Sequence, residues 1–197
     1  MKTIIKTGMW KILKLFYDNR NSPLHLREIS RKAGRNESSI FRQLKILEKE
    51  GIVKSKSDGN MKKFFMNPSN IPDIFPIFDY EKFNSLPLIR KNAVKFYLSK
   101  LEKKPVFAVL FGSTAKGNYI KDSDIDILEV INCDNDNRNA NKYAEAQTGI
   151  KLQIFRINEK QFRRNLLEKK DKVVLSAIET GFPIFNNKYF CEVIYNE

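Results

Sequence analysis

A glycine–serine pair and two aspartates are the residues of this sequence best suited to chemistry. Gly112 and Ser113 directly follow an apolar run, residues 106–111. Ten residues separate Ser113 from Asp124, and Asp124 and Asp126 precede a second apolar run. Because alternate side chains of a strand share a face, these two carboxylates are expected about 7 Å apart on one face, with Ile125 on the other. Carboxylates spaced in this way can share divalent metal ions.

The chemistry available to such a group is that of phosphates. Divalent ions can bridge the phosphates of a nucleotide and stabilise the attacking and leaving oxygens in phosphoryl transfer. The turn at Gly112 and Ser113 lets backbone amides and a hydroxyl approach phosphate oxygens. Taken separately, the two segments also fit an ordinary turn and an acidic loop edge. The complete order of strand, GS, ten residues, DxD and strand is specific, and it predicts a nucleotide site.

Over about residues 105–186, this order resembles the nucleotidyltransferase superfamily of the DNA polymerase β type, in its minimal form. The resemblance implies that Gly112 and Ser113 contact the phosphates of a nucleoside triphosphate. It also implies that Asp124 and Asp126 are the catalytic residues that bind Mg²⁺ or Mn²⁺. Lys116 occupies a place where the family often has a basic residue, which implies a further phosphate contact.

The sequence departs from this family at its third acid. The family places another carboxylate on a later strand, and the candidate strand, residues 150–157, contains neither Asp nor Glu. Gln153 stands at its centre and can offer a metal a neutral oxygen, but an amide cannot act as a base at neutral pH. Glu129 has the wrong strand parity to join Asp124 and Asp126. Binding of a metal and a nucleotide is therefore predicted, whereas transfer is left open.

The net charge of +13 is unevenly distributed along the chain. Residues 1–67 hold 16 Lys and Arg against 6 Asp and Glu, whereas residues 68–197 hold 20 against 17. The excess therefore belongs to the first third of the chain. Such an excess suits a polyanionic partner, although a solvated basic surface without a ligand has the same composition.

The same third of the chain predicts three helices and a hairpin. Asn36 is a suitable N-cap for the third helix, whose residues Ile40, Leu44 and Leu47 form one apolar stripe. Two strand-like runs, residues 52–56 and 61–66, flank a turn that contains Asp58 and Gly59. A helix of this kind fits the major groove of DNA, and the basic hairpin then reaches the flanking phosphates.

Residues 24–66 resemble a winged helix-turn-helix domain of the bacterial and archaeal regulator type. The resemblance implies a homodimer on a palindromic site in double-stranded DNA; contact with RNA or with a protein is the alternative. The predicted DNA-binding residues are polar or basic and lie on the third helix, before it, or on the hairpin. They are Arg35, Ser38, Ser39, Arg42, Gln43, Lys45, Lys62 and Lys63, with Lys54 and Lys56 also within reach of phosphates.

We therefore expect an α+β protein with a winged helix-turn-helix domain over residues 1–67 and a nucleotidyltransferase-like domain over 105–197. The second domain is expected to be a small α/β unit with a mixed sheet. Residues 68–104 are predicted to be a linker and a connecting helix, because residues 67–80 contain three prolines and no helical period.

Several other classes of protein are disfavoured. The longest apolar run has six residues, against about 18 for a membrane span, and lysines interrupt the N-terminal stretch where an export signal would need an apolar core. One histidine, His25, and two distant cysteines provide little material for a zinc site or a Ser-His-Asp triad. These features predict a cytoplasmic protein with no membrane partner.

Three functions fit the two predicted domains. The first is a transcriptional regulator whose second domain binds a nucleotide and modulates DNA binding. The second is an active minimal nucleotidyltransferase that moves a nucleoside monophosphate to a hydroxyl of a protein, an RNA or a small molecule. An autoregulated antitoxin that modifies a toxin belongs to this second class. The third is a nucleic-acid-binding module whose second domain is a scaffold.

Overall fold

The computed structural model describes residues 7–20, 22–132 and 137–195, so Cys133 lies outside the described residues. The chain divides into two compact units between Phe78 and Asp79. The predicted connecting segment, residues 68–104, is split by this boundary. Its first part completes the first unit, and the remainder belongs to the second.

The first unit has the order of elements expected of a winged helix. These elements are α1 (Thr7–Asp18), β1 (Leu24–His25), α2 (Leu26–Ala33), α3 (Glu37–Lys49), β2 (Val53–Asp58), β3 (Met61–Met66), a 3₁₀ turn (Pro68–Asn70) and the beginning of α4 (Ile71–Asn84). The strands form an antiparallel sheet in the order β1-β3-β2. This arrangement confirms the predicted winged helix-turn-helix.

Helix α3 forms for the predicted reasons. The Asn36 side chain accepts a hydrogen bond from the Ser39 backbone amide at 2.8 Å and so caps the first turn. Ile40, Leu44 and Leu47 are all buried and hold the helix against the rest of the unit. The hairpin that follows pairs Asp58 with Met61, so that Gly59 and Asn60 form a two-residue turn.

Helix α4 contradicts the expectation that residues 67–80 are an irregular linker. Pro72 lies in the first turn, where its missing amide hydrogen costs nothing, and Pro76 inside the helix removes one backbone hydrogen bond. Aromatic packing offsets this loss. Phe75 and Phe78 are buried, with ring centroids 5.2 and 5.4 Å from that of Tyr17. The prediction of a linker was therefore wrong, because it rested on the number of prolines, whereas tertiary contacts stabilise the helix.

The second unit is a mixed sheet with helices. Its elements after α4 are α5 (Leu88–Ser99), β4 (Phe107–Phe111), α6 (Gly112–Lys116), β5 (Ile125–Ile131), α7 (Arg138–Thr148), β6 (Leu152–Asn158), α8 (Glu159–Glu168), α9 (Lys172–Thr180), β7 (Phe182–Phe185) and α10 (Asn187–Tyr195). The strand order is β6-β5-β4-β7, with β5 and β6 parallel and the other pairs antiparallel. The expected α+β fold with a mixed sheet is confirmed. None of the helices in the described part of the chain is long and apolar enough to cross a membrane.

Strand β5 separates the apolar core from the candidate site. Ile125 and Ile127 are fully buried in a core that includes Val94 of α5. Glu129, which has the same parity, is also fully buried, and it accepts hydrogen bonds from Tyr97 Oη at 2.8 Å and from Arg156 Nε at 3.0 Å. Asp126 has the opposite parity and therefore points to the other face of the sheet.

Candidate functional site

The two halves of the GS and DxD motif meet at Gly112 and Asp126. Strands β4 and β5 are antiparallel and place Phe111 opposite Asp126, so that Gly112 follows directly at the end of the pair. Gly112 has a φ of +68°, and a Cβ atom at this position would lie 3.0 Å from Asp126 Cγ and closer still to Oδ2. Only glycine lets the turn lie this close to the carboxylate.

The two carboxylates differ in exposure. Asp124 is exposed immediately before β5, and Asp126 is half-buried as the second residue of the strand. Burial, and secondly the neighbouring charge of Asp124, raise the pKa of Asp126. A bound cation would remove this repulsion, so the pair has the electrostatics of a cation site.

The donors of this site suit Mg²⁺ or Mn²⁺, which prefer oxygen ligands. Gln153 lies opposite Asp126 in the parallel register of β5 and β6, where a third carboxylate was expected from the family. Among the described residues, no three His, Cys, Asp or Glu side chains form a group that could hold a metal. The charged oxygen donors at this end of β5 are the carboxylates of Asp124 and Asp126.

Helix α6 carries the predicted phosphate-binding residues. It has five residues and ends at Gly117, whose amide donates to the Ser113 and Thr114 carbonyls. Ser113, next to Gly112, is half-buried, and Lys116 is exposed at the end of the helix. The structure therefore brings Gly112 against the Asp126 carboxylate, with Ser113 next to Gly112 and Lys116 one turn further along the same short element.

Sequence reasoning missed Arg90. This residue of α5 is only 2% exposed, and its guanidinium lies 4.0 Å from the centroid of the Tyr119 ring. It donates to Thr114 Oγ1 and to two backbone carbonyls of the loop between α6 and Asp124. The apolar period of α5 indicated a helix, but nothing in that pattern showed that one of its basic residues is buried.

The second candidate surface is the basic face of the first unit. Most of the predicted DNA-binding side chains are exposed: Arg35, Ser38, Arg42, Lys45 and Lys62. Ser39 is half-buried and its amide is used in the Asn36 cap. Lys63 is also half-buried and pairs with Asp58 at 2.7 Å. That these residues contact DNA stays a prediction.

Gln43 does not lie on this exposed face as expected. Its side-chain amide packs against Gly8 of α1, where an added Cβ would be 2.6 Å from Nε2 and from Oε1. Its Oε1 atom is buried without a hydrogen-bond partner. The reason is geometric, since Gln43 lies next to Leu44 at the edge of the buried stripe, where α3 meets its neighbours.

Family models match both parts of the chain. Residues 91–188 match the model described as a nucleotidyltransferase domain, and residues 7–55 match the model described as bacterial regulatory protein, arsR family. The first match covers α6, the DxD pair and β6, and it begins one residue after Arg90. The second covers α1 to β2. No curated protein matched the chain.

Solved structures resemble the chain only in part. A mutant of MepR from a multidrug-resistant Staphylococcus aureus clinical isolate is 17% identical, over 49% of this chain and 77% of that one, with a TM-score of 0.38. MepR is a transcription regulator of the multidrug efflux pump MepA. ZitR from Lactococcus lactis, a zinc-responsive MarR family member, is 12% identical, over 50% of this chain and 75% of that one, with a TM-score of 0.31.

Proposed function

Because the chain joins a winged helix-turn-helix domain of the regulator type to a minimal nucleotidyltransferase domain, we propose that it is a nucleotide-responsive transcriptional regulator. In this proposal the first domain binds double-stranded DNA. The second binds a nucleoside triphosphate together with Mg²⁺ or Mn²⁺, and the bound nucleotide changes the affinity for DNA.

The observation that carries the nucleotide part is the close approach of Gly112 to Asp126. The turn requires glycine, and the two carboxylates repel each other. Together these two features serve no structural purpose. They form a surface where a cation and a phosphate have adjacent places. Asp124 and Asp126 would hold the metal, Gly112 and Ser113 would take the phosphates, and Lys116 would add a positive charge. When bound, the metal supplies charge neutralisation to the phosphate oxygens.

The proposal centres on binding because of Gln153. This side chain lies opposite Asp126, and its amide cannot take a proton from an acceptor hydroxyl at neutral pH. The two aspartates nevertheless remain available to a metal. Transfer of a nucleoside monophosphate to a protein or RNA is a separate activity, which the experiments below distinguish from binding.

The DNA part rests on the exposed cations of α3 and the hairpin. Arg42 and Lys45 are exposed on α3, and Lys62 is exposed on the hairpin. In the proposal these side chains reach bases and phosphates. A homodimer on a palindromic site is part of the proposal.

The nucleotide proposal is tested by calorimetric titration of the full chain with ATP and GTP, with and without Mg²⁺. We expect Mg²⁺-dependent binding that the double variant Asp124→Asn, Asp126→Asn abolishes. Asp122→Asn is the control, because Asp122 is exposed in the same loop and its substitution also removes a negative charge, one unit against the two of the double variant. The DNA affinity of the nucleotide-free protein should be unchanged in both variants. Equal nucleotide binding by the wild type and the double variant would refute the site.

Transfer and regulation need separate measurements. Incubation with labelled nucleoside triphosphates, Mg²⁺ and a cell extract should leave protein and RNA unlabelled if the domain only binds. Label that depends on Asp124 and Asp126 would instead establish an active transferase. A DNA titration with and without the nucleotide measures the coupling, and identical affinities would remove the regulatory part of the proposal.

A further inference from the structure

Arg90 connects the two halves of the candidate nucleotide site through one side chain. Its Nη1 donates to Thr114 Oγ1 at 2.8 Å, and Thr114 belongs to the same short helix as Gly112 and Ser113. Its Nη2 donates to the carbonyls of Ile120 and Ser123 at 3.1 and 2.9 Å. Ser123 immediately precedes Asp124. The guanidinium therefore contacts the phosphate-binding helix and the loop that leads into the DxD pair.

This loop has few apolar anchors of its own. The side chains of residues 120–122 are exposed, and that of Ile120 is 72% exposed. A local turn joins the Ser123 amide to the Ile120 carbonyl at 3.1 Å. Both of the carbonyls that Arg90 contacts belong to this turn. Tyr119, whose ring lies against the guanidinium, completes the attachment of the loop to α5.

A buried guanidinium is an expensive way to fix a loop, because burial penalises its charge. Burial lowers the pKa of Arg90, and the nearby Tyr119 and Asp124 oppose this effect. The hydrogen bonds of Arg90 go to Thr114, Ile120 and Ser123, so its charge acts on the Asp124 carboxylate without a direct hydrogen bond. The forked donor geometry is what a lysine cannot reproduce at this position.

Building on the proposed nucleotide site, we infer that Arg90 is a positioning residue that sets the Asp124 carboxylate relative to Gly112 and Ser113. It acts through the loop turn at Ile120–Ser123 and through Thr114, and it does not itself contact the nucleotide. Residues that orient a metal ligand in this way typically change metal affinity by about 10- to 100-fold when they are replaced.

The inference predicts an effect on metal-dependent binding alone. Nucleotide binding is measured for the full chain without metal and at increasing Mn²⁺, and the gain in affinity that Mn²⁺ provides is compared between variants. In Arg90→Lys this gain should fall by about tenfold or more, with metal-free nucleotide binding unchanged. Thr114→Val, which removes one acceptor of the guanidinium and keeps the side-chain shape, should reduce the gain in the same direction but less. Lys95→Met, an exposed charge on the same helix, is the control and should behave as the wild type.

Amide hydrogen exchange verifies that each variant remains folded. Residues 118–124 should exchange faster in Arg90→Lys, and β6 should keep its protection. An unchanged Mn²⁺ gain in Arg90→Lys overturns the inference and leaves the proposed function standing. A parallel loss of metal-free and metal-dependent binding also overturns it, because that result identifies a general structural role. Absence of Mn²⁺-dependent binding in the wild type refutes the proposed function, and the inference with it.

Discussion

The proposed nucleotide site and the basic face of the first unit are built in different ways. The basic face comes from one stretch of chain, residues 35–63, and most of its cations are exposed on a single helix and hairpin. The proposed nucleotide site requires α6, β5 and α5 together, because Gly112, Asp126 and Arg90 come from three elements. A surface of the first kind depends on local structure, whereas a site of the second kind depends on tertiary contacts.

This difference has electrostatic consequences. The cations of the first unit are mostly exposed to solvent, so the attraction to DNA that we propose for them should be screened by salt. Asp126 is half-buried beside Asp124, and its pKa is raised by burial and by that neighbouring charge. In the proposed function, the first surface attracts a polyanion over a distance, and the second holds a cation only at close contact. Substitutions on either surface test this contrast.

Gly112→Ala should abolish Mg²⁺-dependent nucleotide binding, because the new methyl group overlaps the Asp126 carboxylate. Gly117→Ala is the matched control. Gly117 also has a positive φ, but no atom lies within 4 Å of an added Cβ, so only the backbone cost of about 1–2 kcal/mol in unfolding free energy is expected. Calorimetry measures the first effect and urea denaturation the second. Equal nucleotide affinities in the two variants would contradict the close approach.

Arg42→Ala should weaken specific DNA binding by about 1–3 kcal/mol if its guanidinium contacts a base. Fluorescence anisotropy with specific and scrambled duplexes measures this, and Lys49→Ala at the far end of α3 controls for the loss of a charge. An equal loss on every duplex would identify Arg42 as a phosphate contact. Nucleotide binding should be unaffected, since the two surfaces belong to different units.

Asn36→Ala should reduce the unfolding free energy of the first unit by about 1 kcal/mol, because the amide of Ser39 loses its cap. Asn158→Ala is the counterpart in the second unit, where Asn158 and Gln161 form a capping box at the start of α8. Hydrogen exchange measured separately for the two units should show that each substitution reduces stability only in the unit that contains it. DNA affinity should fall in the first variant only, and a fall in both would show that the basic face depends on the second unit.

The smallest effect concerns pH. The folded-state pKa of Asp126 lies above its ordinary value of 3.8, so the folded protein binds this proton more tightly than the unfolded chain does. The contribution of the Asp126 carboxyl to the free energy of unfolding is therefore present at low pH and is lost as the pH rises through the raised pKa. Asp126→Asn should therefore raise the melting temperature at neutral pH, with the difference disappearing near pH 3. An unchanged melting temperature at pH 7 would contradict the raised pKa.

Local patterns predicted much of the fold. The Asn36 cap and the apolar stripe of Ile40, Leu44 and Leu47 are consequences of spacing within one helix, and the structure reproduces both. The hairpin at Gly59 follows from its turn residues in the same way. The parity of Glu129 and Asp126 on β5 follows from strand geometry, and it separates the core from the candidate site.

The parts that were not predicted depend on contacts between distant residues. Helix α4 forms despite Pro76, because Phe75 and Phe78 pack against an aromatic ring of α1. Gln43 faces Gly8 because two helices approach each other at that point. Arg90 is buried because a loop more than twenty residues later in the sequence folds over it. The spacing of apolar residues along the chain contains no information about such encounters.

Strand β5 carries acidic side chains on both of its faces, and these side chains should differ in chemical reactivity. Glu129 is fully buried and already accepts from Tyr97 and Arg156, so a water-soluble carbodiimide should not reach it. Asp124 is exposed and Asp126 is half-exposed, so both should be modified. Mg²⁺ with a nucleotide should protect these two and leave Glu129 unaffected. Mass spectrometry of one peptide can thus report the occupancy of the site, with an internal reference on the same strand.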